Sequence, residues 1–169
     1  MAGRMLRSCV LREVVHGSAT FARVVALRQA VLRTPLGLQY SAVDLAAEHD
    51  QLHLALFENE TPVASGILQW QHDAQAKMRQ MAVDSAYQGI GLGAQLVKAL
   101  EAEAARRGIR RIVLHARASA IGFYERLGYT CVGDVFEEVG LPHRRMEKML
   151  PDGEMAGLKS PRGGDATHW

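Results

Sequence analysis

A mixed α/β (α+β) fold, with a central mixed β-sheet flanked by helices, is predicted by three features of this chain. Stretches with apolar residues at helical spacing interrupt stretches that alternate like strands. Residues 52–83 hold three consecutive strand-like runs divided by turn signals, a meander. From residue 91 on, the order is helix, strand, helix, strand, strand. The whole reads β-α-(α)-β-β-β-α-β-α-β-β, an order suited to one layered domain over 1–150.

Cys9 to Val14 is the first strand. Ser18 or Thr20 caps a helix running to about Arg33, whose apolar surface is Phe21, Val24, Val25, Leu27, Val31 and Leu32. Thr34-Pro35-Leu36-Gly37 stops it. A short second helix is expected around Val43 to Ala47. Leu52 to Phe57 is a strand, Glu58 to Pro62 a turn, Val63 to Trp70 the returning strand and Gln75 to Val83 the third. A helix over 91–107 places Leu92, Leu96, Val97, Leu100 and Ala104 on one face and ends at Gly108 after two arginines. A strand at 111–115, a helix at 119–127 and strands at 129–136 and 143–150 follow. The tail 151–169 lacks periodicity and is expected to be flexible.

With 48% apolar and 22% charged residues, the composition is ordinarily globular. A net charge of +2 argues against a nucleic-acid partner. Cys9 and Cys131, with no C-x-x-C, argue against disulfides and structural zinc. His49 and His53 stand four apart, but the local structure is loop to strand, so no metal is expected. No apolar run reaches 18 residues, and Arg4, Arg7 and Arg12 interrupt any signal-peptide core. No membrane association is expected, and a cytoplasmic location is the default.

The most informative segment is Gln88-Gly89-Ile90-Gly91-Leu92-Gly93, followed by Ala94, between a strand and a helix. Such a turn is either a packing device or an anion site, where free backbone N–H groups and a helix dipole face a phosphate. The dinucleotide pattern fits only in altered register, and no acid ends the strand Ile112-Val113-Leu114-His115. No G-K-[ST] follows, which argues against a P-loop. Some thirty residues on stands Ala120-Ile121-Gly122-Phe123-Tyr124-Glu125-Arg126-Leu127-Gly128-Tyr129.

Together, Q-G-x-G-x-G and A-x-x-F-Y-x-x-x-G-Y resemble the GCN5-related N-acetyltransferase (GNAT) superfamily, over roughly Met78 to Leu150. Glu138-Val139-Gly140-Leu141-Pro142-His143 resembles the E-x-G-I-P-H segment of a bacterial subgroup of small acetyltransferases. The resemblance implies an acyltransferase that moves an acetyl group from acetyl-CoA to a primary amine by direct transfer in a ternary complex. The acceptor is a small molecule or an exposed protein amine, and a homodimer through a sheet edge is plausible. A non-catalytic acyl-CoA-binding module on the same fold is the alternative.

By the same resemblance, Gln88, Gly89, Ile90, Gly91, Leu92, Gly93 and Ala94 face the pyrophosphate. Met81, Ala82 and Val83 pair with the pantetheine arm, and the Met81 N–H polarises the thioester carbonyl. Tyr124, beside Phe123, is the general acid for the departing thiolate. Spacing alone favours reading both rings as core aromatics of an amphipathic helix. Arg117 stands where many family members carry Asn; it contacts a phosphate or an acidic substrate group, or is solvated. No general base stands out. Of the histidines, His115, His143 and His72 are candidates. Glu48 and Glu138 are possible carboxylates for the amine, and Glu138 with His143 is the preferred acceptor-side pair.

Overall fold

The computed structural model describes residues 8–151. From residue 152 on, the expected tail lies outside them. Strands β1 (Val10–Glu13), β2 (Leu52–Glu58), β3 (Thr61–Trp70), β4 (Gln75–Val83), β5 (Arg111–Arg117), β6 (Thr130–Glu138) and β7 (Leu141–Met149) form one sheet in the order β1-β2-β3-β4-β5-β7-β6. The helices are α1 (Ala19–Arg28), α2 (Ala42–Ala46), α3 (Leu92–Arg106) and α4 (Ile121–Arg126). This is the predicted fold class. Contacts among the described residues gather into two compact units: residues 8–69 with Met78–Leu100, and Trp70–Lys77 with residues 101–151.

In the first unit, Ser18 rather than Thr20 caps α1, its hydroxyl accepting from Phe21 N–H at 3.0 Å. The helix expected to reach Arg33 changes character at Gln29. Residues Gln29–Arg33 form a wider π-helical turn, and Thr34–Leu36 a 3-10 turn that ends at Gly37 with φ +69°. The Gln29 side chain ties this stretch to the residues that follow: its amide donates to Leu38 O and Thr34 Oγ1 and accepts from Tyr40 N–H. A capping box between Ser41 and Asp44 starts α2.

Phe21 and Val24 of α1 pack with Val14, Ala55 and Phe57, which covers one face of β2. Leu54, on the other face, pairs with Gly66 of β3. The five residues assigned to one face of α3 (Leu92, Leu96, Val97, Leu100 and Ala104) are all buried. Burying each large one removes roughly 1.5–3 kcal/mol of apolar hydration cost.

A Cβ built on Gly66 would lie 2.9 Å from Leu100 Cδ1 and still nearer the Met81 sulfur. The glycine is what lets the Met81 side chain lie between β3 and α3. Gly66→Ala is therefore expected to cost about 1–3 kcal/mol by overpacking. The readout is a lower urea midpoint at unchanged m.

Two irregularities shape these strands. The β2–β3 hairpin turns on Asn59 and Glu60, and Val63 is an extra residue where the register shifts next to Pro62. Inside β4, Gln80 has φ +55°, unusual for a non-glycine residue in a strand.

In the second unit, β5 runs two residues beyond expectation, so Arg117 is a strand residue and His115 does not end it. Antiparallel pairing sets His115 opposite Arg145 and Arg117 opposite His143. The segment 138–143 is a tight hairpin, not a loop: Glu138 pairs with Leu141, and Val139 and Gly140 both have positive φ (+48° and +76°). That is the primed turn a twisted hairpin favours. A bulge between Val132 and Phe136 follows Gly133, whose carbonyl accepts from Arg144 at 2.7 Å. Ile112, Leu114, Ala116 and Met146 are buried together on one face of β5 and β7. Among the described residues no helix is long and apolar enough to cross a membrane.

Candidate active site

The candidate residues lie in both units, and each set is built by its own elements. In the first, Asp84 ends β4 and ties the following turn down. Its N–H donates to Val63 O at 2.8 Å and its carboxylate accepts from Ala86 N–H at 2.9 Å. The 3-10 turn Ser85–Tyr87 leads to Gln88, whose side chain donates back to Val83 O at 3.0 Å. Gly89 and Gly91 have φ of +79° and +89°.

The first backbone bond of α3 runs from Gln95 N–H to Gly91 O. The N–H groups of Leu92, Gly93 and Ala94 thus have no intrahelical acceptor and sit at the positive end of a helix of 15 residues. A Cβ on Gly89 or Gly91 would meet nothing within 4 Å, so the glycines are required by backbone conformation and the space beside them is open. A helix start of this kind presents free N–H groups and a positive dipole end, the features that suit an anion.

Gly91→Ala should cost about 1–2 kcal/mol through positive-φ strain. Gly122→Ala, in the exposed helical stretch of α4, should stabilise by up to about 1 kcal/mol. Paired denaturant melts of the two variants check the contrast.

Met81 follows the left-handed Gln80, and Ala82 is buried. Gln80 is held from the side: its Oε1 accepts from Tyr40 Oη at 2.5 Å. The guanidinium groups of Arg28 and Arg33 lie 4.6 and 4.8 Å from the Tyr40 ring centroid. Arg28 forms a forked pair with Glu48, at 2.8 and 2.7 Å, with both side chains buried. Burial opposes the charge on Arg28, but the hydrogen bonds and charge of Glu48 outweigh it and raise its pKa. This overturns Glu48 as a carboxylate for the substrate amine: both its oxygens are spent on Arg28.

In the second unit, Tyr124 is buried on α4, its ring edge-on to Phe123 (4.9 Å) and Tyr129 (5.7 Å). Burial pushes its phenol up to about 12. A network unforeseen in the sequence anchors this corner. Tyr129 Oη donates to Glu101 at 3.2 Å, Lys148 donates to Glu101 and to Leu127 O, and Tyr129 N–H bonds Tyr124 O at 3.1 Å.

Glu138 and His143 come together, and His115 joins them. Glu138 Oε1 lies 3.0 Å from His115 Nδ1, and Oε2 3.6 Å from His143 Nε2. Burial works against the Glu138 charge. The hydrogen bond from His115 and the charges of His115, His143 and Lys77 prevail, holding the carboxyl below its usual range. His143 itself is buried, with Nδ1 on Leu141 O at 2.8 Å. Lys77 and Phe136 complete the cluster at 3.3 Å and 4.9 Å from His115.

His72 is exposed in the β3–β4 turn. His49 and His53 each set one ring nitrogen on a backbone carbonyl, of Ala46 and Glu48, and His53 is buried in β2. Among the described residues no group of three or more His, Cys, Asp or Glu is arranged to hold a metal.

The family model described as acetyltransferase (GNAT) domain matches residues 38–150. The uncharacterized N-acetyltransferase YjcF of Bacillus subtilis is 31% identical over 103 residues, covering 60% of this chain and 72% of that protein. The crystal structure of an acyl-CoA N-acyltransferase from Pseudomonas aeruginosa is 25% identical with a TM-score of 0.73, over 83% of this chain and 99% of that one. An aminoglycoside 6'-N-acetyltransferase, solved in complex with coenzyme A, shares the fold at a TM-score of 0.71 and 19% identity, over 83% and 96%.

Proposed function

The chain belongs to the GNAT acetyltransferase family, and we propose that it moves an acetyl group from acetyl-CoA directly to a primary amine in a ternary complex. The observation that carries this reading is the turn opening α3. Positive-φ glycines flank open space there, and unpartnered helix N–H groups suit a pyrophosphate. The coenzyme A bound by a protein of the same fold supports that choice of ligand.

Gln88 to Ala94 hold the pyrophosphate, and the backbone of Met81, Ala82 and Val83 pairs with the pantetheine. The Met81 N–H stabilises the oxyanion that forms as the amine adds. Tyr124, with Phe123 against it, gives its proton to the departing thiolate. Arg117 meets a phosphate or an acidic group of the substrate. Glu138, backed by His143, faces the acceptor ammonium. Acetyl-CoA supplies the activated acyl group; the chain supplies position, oxyanion donors and proton transfer. The acceptor is a small-molecule or exposed protein amine, the location cytoplasmic and the assembly a homodimer.

The replacement of the usual Asn by Arg117 favours one rival, a module that binds acyl-CoA without turnover. A thermal-shift titration with acetyl-CoA, CoA, NAD and ATP tests the donor site. A ligand at 100 times its Kd adds about 2.7 kcal/mol to native stability. Stabilisation by the CoA ligands alone is expected, and its absence would overturn the reading of the turn. Thiol release over an amine and peptide panel then separates the enzyme from the binding module.

A further inference from the structure

We propose that His115 is the base that takes the proton from the acceptor ammonium, with Glu138 as its positioning residue; this rests on the N-acetyltransferase reading above. The β5–β7–β6 registers bring His115, His143, Phe136 and Glu138 to one face of the second unit, opposite the Ile112, Leu114 and Met146 face. His16, His49, His53 and His143 each set a ring nitrogen on a backbone carbonyl, as structural histidines do. His115 differs: its Nδ1 faces a carboxylate at 3.0 Å and its side chain is 28% exposed.

A carboxylate only accepts, so Nδ1 of His115 carries the hydrogen and the neutral ring holds its lone pair at Nε2. Two further groups bear on that choice. The Lys77 ammonium, 3.3 Å from the same Nδ1, has only hydrogens to offer and would select the opposite tautomer. Glu138 is nearer and makes the charge-assisted bond. His143 stands beside the other Glu138 oxygen: its Nδ1–H donates to Leu141 O, and its Nε2 lies 3.6 Å from Oε2. Phe136 walls the ring edge-to-face, and Arg145 stands opposite on β7.

The step balances as follows. His115 Nε2 takes one proton from R–NH3+, leaving R–NH2. The nitrogen lone pair forms the C–N bond, the C–S bond breaks, and the thiolate takes the phenolic proton of Tyr124. The second proton lost by the nitrogen restores that phenol, and the His115 imidazolium releases its proton to water.

Two arms test this. Two-bond 1H–15N spectra of the full chain should show neutral His115 as the Nδ1–H tautomer, with Glu138→Gln weakening that preference; an Nε2–H tautomer in the unsubstituted chain overturns the proposal. In the second arm, acetyl-CoA is offered with simple primary amines. His115→Ala should lower kcat/KM on the order of 10²-fold at pH 7. The deficit should shrink toward pH 10, where an alkylammonium loses its proton unaided. An unchanged rate, or a deficit independent of pH, refutes His115 as the base. The coenzyme A thermal shift should survive His115→Ala. Its absence from the unsubstituted chain would sink the acetyltransferase reading and this proposal with it. With that shift intact, the wrong tautomer or a pH-independent deficit sinks the base alone.

Discussion

Glu48→Ala is expected to remove about 3–5 kcal/mol of stability, because it leaves the Arg28 guanidinium charged, buried and unpaired. Arg28 is 0% exposed and Glu48 3%, and the two meet through both nitrogens and both oxygens. Arg79, 4.0 Å from Glu48, offers only more positive charge. For a chain of this size the loss corresponds to a drop in Tm of roughly 6–20 °C. Replacing both partners by apolar residues, Arg28→Met with Glu48→Leu, should recover much of it, since the pair's desolvation cost disappears with the pair. Urea melts of the singles and the double close the cycle. A single-mutant loss under about 1 kcal/mol would show that the pair contributes little. The pair also underlies the site. Arg28 stacks on Tyr40, and Tyr40 fixes Gln80, the left-handed residue before Met81. The damage should therefore extend to the Met81 N–H.

None of that arrangement is legible in the chain. Arg28 and Glu48 are twenty residues apart with no period linking them, whereas the buried face of α3 follows directly from 3.6-residue spacing. β4 matches its expected bounds because polar residues, Gln71 to Asp73 before it and Asp84-Ser85 after it, punctuate the alternation. The π-helical turn at Gln29–Arg33 escapes notice because Val31 and Leu32 continue the apolar pattern of the helix before it, so the spacing carries no mark of a change in winding. The 138–143 hairpin hides for a similar reason. A β-branched valine at φ +48° is a poor advertisement for a primed turn, which Asn-Gly or Asp-Gly would announce. The Glu138–His143 pairing is readable from their proximity in sequence. His115 is 23 residues from Glu138 and reaches it through strand register and a bulge, which alternation does not encode.

Tyr124→Phe should lower kcat by about 10²-fold or more while leaving the coenzyme A thermal shift in place. The substitution removes one oxygen and keeps the ring that packs on Phe123 and Tyr129, so the loss should not reflect disorder. Its pH signature follows from burial. An ordinary tyrosine loses its proton near pH 10. Burial moves that of Tyr124 to about 12, so its phenol stays protonated well past pH 10. The rate should accordingly show no alkaline fall assignable to this group below about pH 11. The same shift has a stability consequence of definite sign. A pKa raised on folding gives stability that is complete below the unfolded value, near 10, and is lost as pH climbs toward the folded one. Tyr124→Phe should therefore flatten part of the alkaline unfolding curve. Tyr129, also raised by burial and by Glu101, should account for the rest. Stopped-assay thiol release from pH 6 to 10, beside alkaline melts of both proteins, reads the two effects separately. Full turnover in the phenylalanine variant would remove Tyr124 from the chemistry and leave it a packing residue.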